Sequence, residues 1–156
     1  MKISWILSAA ILVSISAGAQ ACDKTNGSLQ HPASGEIYKT FGYVTHPILK
    51  RTRLHSGIDY SGPTGGQVVA ADGGTVVVAG REGAYGNYVR IDHGNGMQTS
   101  YAHMDKIGVK QGDCVARGAD IGTIGQTGVS SGPHLHFEIL QNSRFVDPIP
   151  RLPARS

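Results

Sequence analysis

Short runs of β-branched and aromatic residues recur along the chain, and many of its 22 glycines separate them. Runs of this kind are typical of β-strands, and the glycines between them are typical of tight turns. Apart from one short turn expected within residues 104–110, no window after the first residues keeps a 3.6-residue period. The pattern predicts an all-β, mostly antiparallel fold in a single compact domain. The predicted strands lie at residues 67–70, 75–79, 87–91, 97–102, 119–124 and 134–140.

Glycine-rich turn signals occur at residues 72–74 and 93–96, between the predicted strands. The second signal begins at His93, which we therefore expect to be an exposed turn residue. His46 precedes a proline in a loop and is expected to be structural. His31 receives no role.

The first 21 residues have the composition of an export signal. Lys2 provides a positive charge, residues 3–15 are mostly apolar, and Ala19-Gln20-Ala21 has the small-x-small pattern of a cleavage site. The apolar stretch is too short for a permanent membrane span. We therefore expect residues 1–21 to be removed, leaving no transmembrane segment and a protein exported to the periplasm or cell envelope.

The rest of the chain divides by composition into three parts. Residues 22–34 are expected to form a short leader and residues 35–150 the folded domain. Residues 151–156, which follow from the proline-rich residues 148–153, are expected to form a C-terminal tail. This division places all the predicted strands within one domain.

The chain has two cysteines, Cys22 and Cys114. An oxidising compartment favours a disulfide between them, but two unpaired thiols remain an equal alternative. A cysteine directly after an export signal can also be lipidated. That modification usually needs leucine where this chain has Ala19, so lipid anchoring at Cys22 is the less favoured reading.

The formal charge of +3 falls to +2 without the signal, because the signal contains Lys2 and no acid. This mild excess is compatible with an anionic polymer as partner. The sequence has no basic tract interleaved with aromatic residues, which argues against a nucleic-acid partner.

Two histidine patterns could carry metal chemistry. His55 and Asp59 are four residues apart, and His134 and His136 are two apart in a predicted strand, where alternate residues share a face. Two imidazoles and one carboxylate can hold zinc with a position left for water, whose pKa zinc lowers to about 7. Each pattern alone also arises by chance, so the residues around the two patterns decide whether they indicate a metal site.

Those surroundings resemble the lysostaphin/LytM-type zinc metallopeptidases. The resemblance runs in order and without large gaps over about residues 35–148. It is carried by residues 41–48, 55–60, 86–94, 100–104, 125–128 and 131–138.

The resemblance implies a role for each of five residues. His55, Asp59 and His136 would bind one Zn²⁺ per chain, and His103 and His134 would be the catalytic pair. Imidazole suits acid–base work near neutral pH, although which histidine is the base stays open. The resemblance also implies a small antiparallel β domain, a duplicated hybrid motif with a groove over the zinc.

The function implied is a zinc-dependent endopeptidase that hydrolyses the peptide cross-links of bacterial peptidoglycan, with its peptide stems as partner. We expect cleavage of D-alanyl-diaminopimelate links rather than glycine bridges. A non-enzymatic wall-binding or amidase-activating module, or a peptidase for other peptides, is the alternative. An envelope-spanning machine is a compatible partner.

Overall fold

The computed structural model describes residue 22, residues 27–45 and residues 48–155. The expected export signal, residues 1–21, and His46 lie outside the described residues. The strands, in chain order, are Ile37–Lys39 (β1), Gly42–Thr45 (β2), Thr52–His55 (β3), Ile58–Ser61 (β4), Gln67–Val69 (β5), Gly74–Glu82 (β6), Gly86–Gly94 (β7), Met97–Ile107 (β8), Cys114–Val115 (β9), Asp120–Ile124 (β10), His134–Gln141 (β11) and Arg144–Val146 (β12).

One ten-stranded sheet organises the domain. Its main path runs β1-β4-β11-β8-β7-β6-β9, with β10 against both β5 and β8, and β12 against β11. β2 and β3 form a separate hairpin, and every strand pair is antiparallel. Helical structure in the described part of the chain consists of two 3₁₀ turns, Gly83–Tyr85 and Ile149–Arg151. The predicted all-β antiparallel fold is confirmed.

The described part of the chain contains no helix that could span a membrane.

The central strand β11 is buried along its length except at Gln141, and its apolar residues Leu135, Phe137 and Ile139 alternate with polar residues that face the other side. Phe137 lies directly opposite Tyr101 of β8 and Ile58 of β4, and all three side chains are fully buried. The rings of Phe137 and Tyr101 have centroids 5.4 Å apart. Burying a side chain of this size contributes roughly 1.5–3 kcal/mol, so β11 is anchored from both neighbours.

The segment expected to be a leader packs on the domain. Leu29 is 3% exposed and belongs to the core, and the backbone N–H of Gln30 donates to the carbonyl of Ala71. At the other end of the chain, the Arg155 guanidinium donates to the Ala33 carbonyl and lies over the ring of Tyr60. Both segments therefore add to the packing of the sheet.

Cys22 and Cys114 form a disulfide that joins the start of the described chain to β9. This is one of the two alternatives that the sequence left open. The disulfide uses the Cys22 sulfur, the atom to which a lipid would be attached.

Two local predictions were wrong. His93 is 2% exposed, because it lies two residues after Ile91 in β7 and shares its inward face. Its ring donates to the Gly73 carbonyl and contacts the Thr99 hydroxyl at 2.7 Å. The turn expected within residues 104–110 begins only at Lys110, since β8 continues to Ile107.

Burial lowers the pKa of His93, although its hydrogen bond to Gly73 opposes the shift. Below about pH 6.5 the unfolded chain therefore protonates this histidine, whereas the folded protein keeps it neutral. The free energy of unfolding consequently decreases as the pH falls. We expect His93→Gln to be less stable than wild type at pH 8. The difference should narrow below pH 6.5, by at most about 1.4 kcal/mol per pH unit. Urea unfolding at a series of pH values measures this, and a constant difference would contradict it.

Candidate active site

A groove of about 700 Å³ crosses one side of the sheet. It brings together all five residues assigned a metal or catalytic role from the sequence. Side chains from β1, β3, β4, β8 and β11 form it, together with the loops before β7 and β11. Its lining consists of Tyr38, Lys39, Arg53, Leu54, His55, Ser56, Asp59, Ala84, Tyr85, His103, Val129, Ser130, Ser131, His134 and His136.

His55, Asp59 and His136 form a compact cluster at the floor of the groove. One ligand atom from each lies within 4.8 Å of the others, and all three residues are buried. Strand pairing produces this arrangement, because Asp59 of β4 stands directly opposite His136 of β11. Asp59 Oδ1 is 2.7 Å from His136 Nδ1 and 3.1 Å from His55 Nε2.

The outer hydrogen-bond partners of the two imidazoles fit a cation at the centre of this cluster. His55 Nδ1 donates to the Thr40 carbonyl at 2.8 Å, and His136 Nε2 contacts Glu138 Oε1 at 3.1 Å. A neutral imidazole has one N–H. When that proton faces the outer acceptor, each ring turns its lone pair toward Asp59. A metal ion among the three atoms satisfies both lone pairs and the carboxylate, so the donor set fits a metal.

The electrostatics of the cluster agree with this reading. Burial opposes ionisation of Asp59, but hydrogen bonds from His136 and His55 outweigh it and hold the pKa of the carboxyl far below its usual range. Burial likewise opposes charge on His136, yet Asp59 and Glu138 raise its pKa to about 9. The two shifts together favour a cationic partner beside the ionised Asp59 carboxylate.

His103 enters the groove from an irregular point in β8. Its φ is +61°, a left-handed conformation that is uncommon for non-glycine residues. The pairing of β8 with β7 shifts register between Tyr101 and Met104, as at a β-bulge. The irregularity directs His103 into the groove, where its Nδ1 donates to the Thr127 carbonyl at 2.8 Å. Nε2 is left as the atom with a lone pair.

His134 has the same arrangement. Its Nδ1 donates to the Gly132 carbonyl at 2.8 Å, and its Nε2 is 3.9 Å from Asp59 Oδ1. The rings of His134 and His103 have centroids 4.7 Å apart. Burial lowers the pKa of His103, and the neighbouring imidazole of His134 adds to that shift. Two imidazoles with Nε2 free thus stand beside the cluster, as proton transfer to a bound substrate requires.

Glu138 orients His136 from below the groove. The carboxylate is fully buried, and its Oε1 accepts from the Ser56 hydroxyl at 2.6 Å, the Tyr85 hydroxyl at 2.9 Å and His136 Nε2. These contacts fix the ring so that Nδ1 faces Asp59. A carboxylate in this position also makes the ligating nitrogen more basic.

Replacing Glu138 with glutamine keeps the shape and removes the charge. We expect Glu138→Gln to bind metal about 10- to 100-fold more weakly, as other substitutions behind metal-ligating histidines do. Competition with a chromophoric chelator measures the affinity. Glu36→Gln, at an exposed carboxylate, is the matched control. Equal affinities of Glu138→Gln and wild type would contradict the orienting role.

The sequence did not single out several groove residues. Glu138 could have been found, because it lies two residues after His136 on the same strand face. Lys39 and Tyr85 gave no comparable signal, because contacts between distant parts of the chain bring them to the groove.

Comparison with known proteins supports the sequence resemblance. The sequence profile described as "Peptidase family M23" matches residues 53–148. The DD-carboxypeptidase/endopeptidase Mpg of Neisseria meningitidis is 48% identical over 113 residues, 72% of this chain and 26% of that protein. The chain thus spans about a quarter of the length of the curated relatives it matches.

Solved structures agree with the sequence matches. A zinc-containing peptidase from Vibrio cholerae superposes with a TM-score of 0.73 and 36% identity, covering 87% of this chain and 40% of that one. The catalytic domain of lysostaphin from Staphylococcus simulans gives a TM-score of 0.67 and 33% identity, covering 74% of this chain and 90% of that one. Because the family profile matches more than half of the chain, this chain belongs to peptidase family M23.

Proposed function

We propose that this protein is a zinc-dependent endopeptidase that hydrolyses D-alanyl-diaminopimelate cross-links in peptidoglycan. The observation that carries the proposal is the three-residue metal cluster at the floor of an open groove, with two further imidazoles facing it. A three-ligand site leaves room for water or substrate, whereas a structural zinc site is usually closed by a fourth protein ligand.

His55 Nε2, Asp59 Oδ1 and His136 Nδ1 are the atoms proposed to hold the zinc. When bound there, zinc supplies Lewis acidity and makes water a nucleophile near neutral pH. Glu138 and the Thr40 carbonyl keep the two imidazole ligands in the required tautomers.

His103 and His134 are proposed to move the protons. One Nε2 accepts the proton released as water attacks the scissile carbonyl, and an imidazolium returns a proton to the leaving amine. The other Nε2, protonated, donates to the carbonyl oxygen as negative charge develops there. Both Nδ1 atoms stay bonded to backbone carbonyls, so each ring presents only Nε2 to the substrate.

The names of the relatives support the substrate and the location. Mpg is named a DD-carboxypeptidase/endopeptidase, and ShyA of Vibrio cholerae a peptidoglycan DD-endopeptidase. A wall substrate requires export, for which residues 1–21 are the proposed signal, to the periplasm or cell envelope. The Cys22–Cys114 disulfide suits such a compartment.

Digestion of isolated sacculi tests the proposal. The zinc-loaded protein should solubilise sacculi that contain diaminopimelate and convert cross-linked muropeptides into monomers, which mass spectrometry identifies. Chelation should stop the reaction, and added zinc should restore it. If the zinc-loaded protein leaves the cross-links intact but stimulates an amidase, the activating role is correct instead.

A further inference from the structure

The groove carries two cationic side chains, Lys39 and Arg53, beside the metal cluster. Asp59 is the only acidic residue in the lining given above. Arg53 lies two residues before His55 in β3, so both side chains project from one face of the hairpin. The groove lining therefore carries two cationic side chains and one carboxylate, and that carboxylate belongs to the metal cluster.

Strand register fixes the position of Lys39. In the pairing of β1 with β4, Lys39 stands opposite Asp59, and its Nζ lies 3.8 Å from Asp59 Oδ2. The side chain is 37% exposed, so the ammonium can reach a ligand in the groove. Asp59 Oδ1 faces the two histidine ligands, and its sister oxygen faces Lys39.

Asp59 cannot neutralise both a divalent metal and Lys39. The three proposed ligands bring one negative charge, and the metal ion already exceeds it. Lys39 then keeps a positive charge that no acidic residue of the groove lining balances. An anion supplied by the substrate would complete the site, and a carboxylate is the anion that peptides carry.

The reach of Lys39 locates that carboxylate along the substrate. A scissile carbonyl at the metal cluster places the carboxyl carbon of the next residue three bonds away, at most roughly 4 Å. Lys39 Nζ is 3.8 Å from Asp59 Oδ2, and the other oxygen of the same carboxylate, Oδ1, contacts the ligand His136. The distances suit a carboxylate on the residue directly after the cleaved bond.

We propose that Lys39 binds a free carboxylate on the residue that follows the scissile bond. This assignment rests on the proposed peptidase function and names the substrate class more closely. In a D-alanyl-diaminopimelate link, the acylated amine and a free carboxylate share one carbon atom. In a glycine bridge, the corresponding carboxyl group is an amide. Lys39 thus selects the first kind of link, and also accepts a terminal D-alanine.

A pair of substrates that differ only in this carboxylate tests the assignment. The first is a D-alanyl-diaminopimelate cross-linked dimer, and the second is the same dimer amidated at the carboxylate beside the scissile bond. Wild type should cleave the first with a kcat/KM about 10- to 100-fold higher, as expected for a hydrogen bond between charged groups. Lys39→Met should lose this preference, because its kcat/KM should fall for the dimer with the free carboxylate and stay unchanged for the amidated dimer.

Three controls separate recognition from structure. Lys39→Arg should keep the preference, and Lys110→Met, at an exposed lysine outside the groove, should behave as wild type. The zinc content of Lys39→Met should equal that of wild type. Loss of zinc, or an equal loss of rate on both substrates, would contradict the assignment.

The failure of this assignment differs from failure of the proposed function. Equal cleavage of both dimers by wild type contradicts the carboxylate contact and leaves the peptidase proposal standing. Cleavage of neither dimer by zinc-loaded protein contradicts both.

Discussion

His136→Ala is expected to lose both the metal and the activity. The substitution removes the ligand that stands opposite Asp59 and leaves two protein ligands, one fewer than catalytic zinc sites use. Metal catalysis is worth several kcal/mol, and each 1.36 kcal/mol is a factor of ten, so cleavage should fall by about 10³-fold or more. Zinc analysis of the purified variant should give a molar ratio near zero where wild type gives about one.

His31→Ala is the matched control for this experiment. His31 lies outside the groove lining and contacts the Tyr60 hydroxyl and the Pro153 carbonyl. The control should keep both zinc and activity. A His136→Ala protein that retains one zinc and cleaves normally would show that the cluster is not the metal site.

His103→Ala and His134→Ala should each keep the zinc and lose turnover. Neither belongs to the ligand cluster, but the free Nε2 of each faces it. Loss of a positioned acid or base costs typically 10²- to 10⁴-fold, so kcat should fall by that range while zinc content stays near one. Steady-state kinetics on a soluble cross-linked muropeptide, with zinc analysis of the same samples, measures both quantities.

The pH profile separates the two histidines. Because burial depresses the pKa of His103, its ring stays neutral at pH 7 and gains a proton only below pH 6.5. If His103 is the base, kcat/KM of wild type should therefore hold to below pH 6.5 and then fall. His103→Ala should lack that acid limb. An unchanged profile in His103→Ala would assign the base to His134.

The spacing of residues along the strands predicted much of the site. The period of two placed His134 and His136 on one face, and the structure has both in the groove. The same rule, applied to β7, would have placed His93 beside Ile91 in the interior. The glycines after His93 suggested a turn instead, although the turn begins only after β7 ends at Gly94. Strand alternation, and not the glycine-rich composition, therefore decides the position of His93.

Other features depend on contacts between distant residues, which one sequence does not contain. Lys39 reaches the cluster through the pairing of β1 with β4, and Tyr85 reaches Glu138 across 53 residues. The left-handed backbone of His103 has no local signal, since no glycine stands there. The family resemblance identified His103, but only the structure gives the bulge that orients it.

The orientation of three groove histidines is held by the main chain. His55, His103 and His134 each donate Nδ1–H to a backbone carbonyl, and only His134 Nδ1 also contacts a side chain, the Ser130 hydroxyl at 3.2 Å. The Thr127 carbonyl depends in turn on Gly128, where a Cβ would overlap the backbone of residues 84 and 86. A mutational survey restricted to alanine would therefore detect the loop before β11 through Gly128, where the added Cβ clashes, rather than through loss of the carbonyl anchors themselves. Changes in loop length, or a proline that redirects its carbonyls, would reveal how the site keeps its proton geometry.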